Sequence, residues 1–249
     1  MPQRSQRCAA ATSASAYPQR QEKGRSVTAE EWSATRLSLL VAAAAVCGSL
    51  PFAIPIAFLL ARWRSPLRSL LETLVSLPLV LPPVVTGYLL LLAFGRRGPI
   101  GAFLEQTFGL RVTFTWLGAA LAAAVVGFPL MVRAIRLAFD GIDPRLEAAA
   151  RGLGAGRWDA FVSVSLPLAL PGVVSGAVLA FARSLGEFGA TILVAGNIPG
   201  QTRTIPLAIF TEVNRPDGMP TAARLVVLSI LLALAALLVS ERLERRAHG

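Results

Sequence analysis

The sequence predicts an all-α integral membrane protein, a bundle of about five transmembrane helices. Three observations carry this reading. Hydrophobic residues make up 54% of the 249 residues and charged residues only 15%, against about 25% charged in a soluble domain. Mean hydropathy is +0.61. The charges are gathered into short connectors between long uncharged runs, as expected where an ionised side chain at the bilayer centre costs about 3 kcal/mol or more. At this length one bundle is expected rather than two domains.

Taken in order, residues 1–35 are polar and without periodicity, and read as a disordered tail. Five apolar runs follow, at 37–61, 70–94, 114–132, 166–193 and 221–240, each near or above the roughly 20 residues a spanning helix needs. The first run is longer than the apolar stretch of about 7–15 residues in a cleaved leader, so it is expected to remain as an anchor. Pro51 and Pro55 in the first run, and Pro78, Pro82 and Pro83 in the second, predict kinked helices that neighbours make tolerable. The transmembrane domain is expected over 36–241, with 242–249 as a short tail.

Basic residues set the orientation. Arg62, Arg64 and Arg68 follow the first run; Arg133, Arg136, Arg145, Arg151 and Arg157 lie between the third and fourth; Arg242, Arg245 and Arg246 follow the fifth. The alternate connectors, 95–113 and 196–220, are poorer in Arg and carry acids. The first set is therefore expected in the cytoplasm. An odd number of spans leaves the N-terminus outside, which the basic tail fits poorly, so five or six helices and the true start site stay open.

The net charge of +10 would suggest nucleic acid in a soluble protein. Here the basic residues flank apolar runs, so no nucleic acid is expected and lipid is the expected surrounding. Cys8 and Cys47 lie far apart, and His248 is the single histidine, so neither a metal centre nor histidine catalysis is expected. No Gly-rich loop ends in Gly-Lys-Ser/Thr, so nucleotide is not bound by this chain. Gly172, Gly176, Ala180 and Ser184 recur at intervals of four in the fourth run, with Ala119, Ala123 and Gly127 in the third. Such stripes permit close helix approach, within the chain or between copies.

The connector 143–165 is the most informative segment. Asp143 is a good N-cap, Pro144 suits the first helical position, and Glu147 lies near the positive end of the helix dipole. Leu146 precedes Glu147, and Ala148, Ala149 and Ala150 follow it; Gly152 or Gly154 can end the helix. A second short helix is expected from Arg157 towards Leu166-Pro167, which makes a compact helical hairpin. Arg183 and Glu187, four apart, are the charges inside the fourth run and flank Ser184. Counted from Leu166, Arg183 lies about 25 Å along the helix, near the outer boundary, where it could meet an oxyanion or form a structural pair.

The connector resembles the cytoplasmic EAA loop of ABC importer permeases, with Gly154 and Pro167 thirteen residues apart. Glu147 stands one position earlier than the family pattern places its acid; Ala148 fills that slot. Other stretches are similar to molybdate permeases: Leu77-Pro78-Leu79-Val80-Leu81-Pro82-Pro83 with Gly87-Tyr88, Phe128-Pro129-Leu130-Met131, Arg183-Ser184-Leu185-Gly186-Glu187-Phe188-Gly189, and Asn197-Ile198-Pro199-Gly200 with Thr202-Arg203-Thr204. Sulfate permeases share part of this pattern.

The resemblance implies a non-catalytic permease subunit in a bacterial inner membrane, importing molybdate by alternating access. It implies a homodimer with two ABC ATPase subunits that use ATP and Mg, and an extracytoplasmic molybdate-binding protein. Sulfate, thiosulfate or tungstate are the alternative cargoes; a secondary transporter or channel is the alternative class. The family's coupling role falls on Asp143, Pro144, Leu146, Glu147, Ala148, Ala149, Ala150, Gly154, Leu166 and Pro167. A pathway or gate role falls on Arg183, Ser184 and Glu187.

Overall fold

The computed structural model describes residues 28–247 apart from Arg64. The tail expected over 1–35 lies outside the described residues as far as 27, and its end differs from the expectation. Helix α1 (Ala29–Arg62) begins at a capping box: Glu31 N–H donates to Thr28 Oγ1, and Thr28 N–H donates to Glu31 Oε2. The Thr-x-x-Glu spacing satisfies two free backbone donors, so the helix starts before the apolar run does.

The second run is not one helix. It forms α2 (Leu67–Val80) and α3 (Pro83–Phe94), whose axes differ by 110°. Pro82 and Pro83 donate no backbone hydrogen bond, and a residue before proline is driven to extended geometry; Leu81 has ψ 142° and Pro82 ψ 134°. A short helix, α4 (Pro99–Phe108), ends at left-handed Gly109. Then α5 (Trp116–Asp140) runs unbroken through Pro129.

The connector forms α6 (Pro144–Gly152) and α7 (Arg157–Ala160). A π-helical turn, Phe161–Ser165, joins α7 to α8 (Leu166–Leu185), so Arg157–Leu185 is one continuous apolar helix. The fourth span ends at Leu185 rather than 193. Gly186-Glu187-Phe188 interrupts it before α9 (Gly189–Val194), followed by α10 (Ile205–Val213) and α11 (Met219–Ala247). The Glu187 carboxylate accepts from Ala190 N–H at 2.9 Å, which stabilises a new helix start at the point of interruption.

Four helices are long and apolar enough to cross a membrane: Ala29–Arg62, Trp116–Asp140, Arg157–Leu185 and Met219–Val239. The bent α2–α3 pair makes five if it counts as one span. Among the described residues no sixth qualifies. Helix α5 is central, packing against α1, α8, α9 and α2. Small residues on both helices let α5 and α8 approach: a β-carbon on Gly176 of α8 would lie 3.0 Å from the Met131 carbonyl oxygen, and Gly127 of α5 faces Ala180 and Ser184. These small-residue positions are therefore used for packing within the chain. Phe58, Phe139 and Phe161 fill the core where α1, α5 and the π turn meet. In contrast α11 exposes Val227, Ile230, Leu231, Leu234 and Leu238, an apolar face suited to lipid or another membrane helix.

Polar contacts define two ends. At one, Arg62 donates to the Ile142 carbonyl and Arg136 pairs with Glu72 at 2.6 Å and Asp140 at 3.4 Å. At the other, Arg224 pairs with Glu31 at 2.8 Å, Ile205 N–H donates to Ser38 Oγ, and Arg203 Nε donates to Asn197 Oδ1. The hairpin projects from the first end.

Candidate functional site

Helix α6 is set by its own termini. Asp143 Oδ1 accepts from Arg145 N–H at 2.9 Å, Pro144 occupies the first helical position, and Glu147 stands in the first turn. At the other end Ala155 N–H donates to Ala150 O and Gly154 N–H to Arg151 O, both at 3.1 Å. This is the paired closure of a Schellman motif, and it places Gly154 at φ +97°. Of the two expected helix-ending glycines, Gly154 is the one with left-handed backbone. Arg151 in the last turn complements the dipole, as Glu147 does in the first.

The hairpin presents an open surface. No residue of α6 is buried, and Leu146, Ala148 and Ala149 are exposed. Two large apolar side chains stand out further: Leu153 is 91% exposed and Trp158 74%. The indole of Trp158 stacks on buried Phe161, with centroids 5.3 Å apart. Neither residue was singled out from sequence, although two large apolar residues in a short polar connector are a visible anomaly. Leu166 and Pro167 begin α8 directly after the π turn; Leu166 packs against the core, and Pro167 is exposed.

Glu147 is turned back towards the bundle. Its carboxylate lies 3.8 Å from Arg62 Nε at the end of α1, and accepts from Ser165 Oγ at 3.4 Å. Ser165 is fully buried in the π turn. Helix α6 therefore meets α1 and the base of α8 through one acidic side chain. Sequence reasoning missed Arg62 and Ser165, because neither is near Glu147 in the chain.

Arg183 and Glu187 form an ion pair at 2.9 Å, and the Glu187 side chain is 2% exposed. Ser184 is buried against Gly127 of α5. The interruption between α8 and α9 lies beside the one between α2 and α3. A β-carbon on Gly189 would come within 2.8 Å of Pro83 Cβ, and one on Gly87 within 2.8 Å of Ala190 Cα. Irregular backbone at membrane depth is tolerated only where protein buries it or a cavity adjoins it. Among the described residues no His, Cys, Asp and Glu cluster could hold a metal ion.

Comparison with known proteins accords with this arrangement. Residues 53–249 match the family described as "Binding-protein-dependent transport system inner membrane component". The chain is 58% identical over 219 residues to "Molybdenum transport system permease protein ModB" of Escherichia coli (strain K12), covering 88% of this chain and 96% of that protein. It is 38% identical over 219 residues to "Sulfate transport system permease protein CysT" of the same strain, covering 87% and 79%. Among solved structures, a chain of the bacterial alginate ABC transporter in complex with alginate pentasaccharide-bound periplasmic protein superposes with TM-score 0.68 at 19% identity, covering 88% of this chain and 80% of that one. The bundle thus has the fold of an ABC importer permease, and the chain belongs to the family of binding-protein-dependent transport system inner membrane components.

Proposed function

We propose that this chain is the membrane-spanning permease of an ATP-driven molybdate importer. The observation that carries the cargo is the 58% identity to a molybdenum permease along nearly that protein's whole length, against 38% to a sulfate permease. The observation that carries the mechanism is a capped helix with no buried residue on the Arg-rich connector. A preformed helix loses little conformational freedom on docking, and Leu153 and Trp158 give it apolar knobs for a groove.

In this reading the permease binds no nucleotide; a separate ATPase uses ATP and Mg. Two copies of the chain form the pathway, two ATPases dock at the hairpins, and an extracytoplasmic binding protein delivers the anion at the opposite end. The Arg-rich end, with Arg62, Arg136, Arg145, Arg151 and Arg157, faces the cytoplasm. The paired interruptions at 81–82 and 186–188 allow the bundle to open alternately to either side.

The test is uptake of radiolabelled molybdate by proteoliposomes containing the permease, its ATPase and its binding protein. ATP-dependent uptake that tungstate inhibits and excess sulfate does not is expected. Uptake of sulfate with no response to molybdate would establish the sulfate reading instead.

A further inference from the structure

We propose that the Arg62–Glu147–Ser165 contact is a tie that transmits movement of the docking helix α6 to α1 and α8. This inference rests on the coupling role given to the hairpin above. Helix α6 has no buried residue of its own, and its main packing is against the segment just after it, α7 and the π turn. The Glu147 side chain is the polar bridge from α6 to the rest of the molecule.

Arg62 is incompletely used. Its two terminal nitrogens reach the Ile142 carbonyl at 3.4 and 3.5 Å, while buried Nε has no hydrogen-bond partner. A buried donor left unsatisfied is costly and calls for a reason. The Glu147 carboxylate lies 3.8 Å from that nitrogen, just beyond hydrogen-bond reach. A shift of about 1 Å would bring it to charge-assisted distance.

On the other side Ser165 holds the same carboxylate at 3.4 Å. Ser165 closes a π turn, a geometry that departs from the regular helix ladder and recurs at functional positions. Pro167 follows it and donates no backbone bond, so the ladder is already interrupted at this joint. Displacement of α6 by a docked ATPase would draw Glu147 onto Arg62 and pull on the π turn together. One carboxylate thus addresses two transmembrane helices.

The test uses the assembled transporter in proteoliposomes, with ATPase copurification, ATP turnover and anion uptake measured on the same preparations. The variants are Arg62→Glu, Glu147→Arg and the double exchange. Each single variant is expected to retain copurified ATPase while ATP hydrolysed per anion transported rises about tenfold. The double exchange is expected to bring that ratio back towards wild type. Wild-type ratios in both single variants, or a double exchange no better coupled than either, would overturn the tie. Loss of ATPase from Glu147→Arg that the double exchange does not restore would also overturn it, by placing Glu147 at the partner interface. Failure of the unaltered chain to bind any ATPase would overturn the importer reading itself.

Discussion

Gly172 of α8 lies against Ala138 of α5 so closely that a β-carbon added to Gly172 would overlap the Ala138 methyl group. Of the glycine contacts between α5 and α8, the two helices at the heart of the bundle, this is the tightest. Gly172→Leu is expected to destabilise the folded protein by about 1–3 kcal/mol through overpacking. The measurement is thermal unfolding in detergent micelles, with Gly48→Leu as control, since nothing lies within 4 Å of a β-carbon there. Equal unfolding temperatures for the two variants would contradict the packing described.

Gly154→Val should act differently, because open space surrounds it and only its backbone is demanding. At φ +97° a branched side chain costs about 1–2 kcal/mol, and the closure of α6 loosens. The transmembrane bundle should unfold as wild type does, while copurified ATPase falls. Ala149→Trp, on the exposed face of the same helix, should also reduce copurification. Undiminished association in both variants would place docking elsewhere.

Trp158 is expected to be an anchor of that docking surface. Trp158→Ala should weaken ATPase association by about 2 kcal/mol, roughly thirtyfold in dissociation constant, with a smaller loss for Leu153→Ala. Titration of purified ATPase against permease in nanodiscs measures both. An unchanged constant for Trp158→Ala would remove the indole from the interface.

Arg183 bears on whether a membrane charge serves transport or architecture. With Glu187 2% exposed and paired at 2.9 Å, Arg183→Ala leaves a buried carboxylate without its counter-charge, at a cost of about 3–5 kcal/mol. The expected result is reduced yield of folded protein, recovered by Arg183→Met combined with Glu187→Met. Normal yield with slowed uptake in Arg183→Ala would assign the arginine to the anion pathway.

Orientation is checked by cysteine labelling of intact cells, after Cys8 and Cys47 have been replaced. A cysteine at position 200 should react with an impermeant maleimide, and one at 155 only after permeabilisation. The reverse pattern would invert the topology.

The sequence was most legible where local chemistry decides structure. Asp143, Pro144 and Gly154 announced α6 and its end, since a cap, a fixed φ and a left-handed residue act within one turn. The spans were legible as apolar runs but not as helices: Arg183 and Glu187 interrupt the run 166–193, yet they were read as a charge pair on one helix rather than as the place where α8 ends. Pro82-Pro83 did carry a warning, read as a kink where the chain makes a 110° break. The start of α1 was available in Thr28 and Glu31 and was overlooked because the apolar pattern begins later. The partners of Glu147 were beyond reach. Arg62 lies 85 positions away in the chain, and only the packing of α1 beside the connector brings them together.

The adjacency of Pro83 to Gly189 and of Gly87 to Ala190 joins two separate helix interruptions into one seam. Helices α3 and α9 are short, clamp each other closely and lie beyond both interruptions. Both also pack against α5, which runs unbroken past them. Pro82 and Pro83 bring no backbone donor to that seam, while the Arg183–Glu187 pair and the Ala190 N–H bond to Glu187 hold its other side. A wall of broken helices thus stands beside an unbroken pillar, α5, at the same level of the bundle.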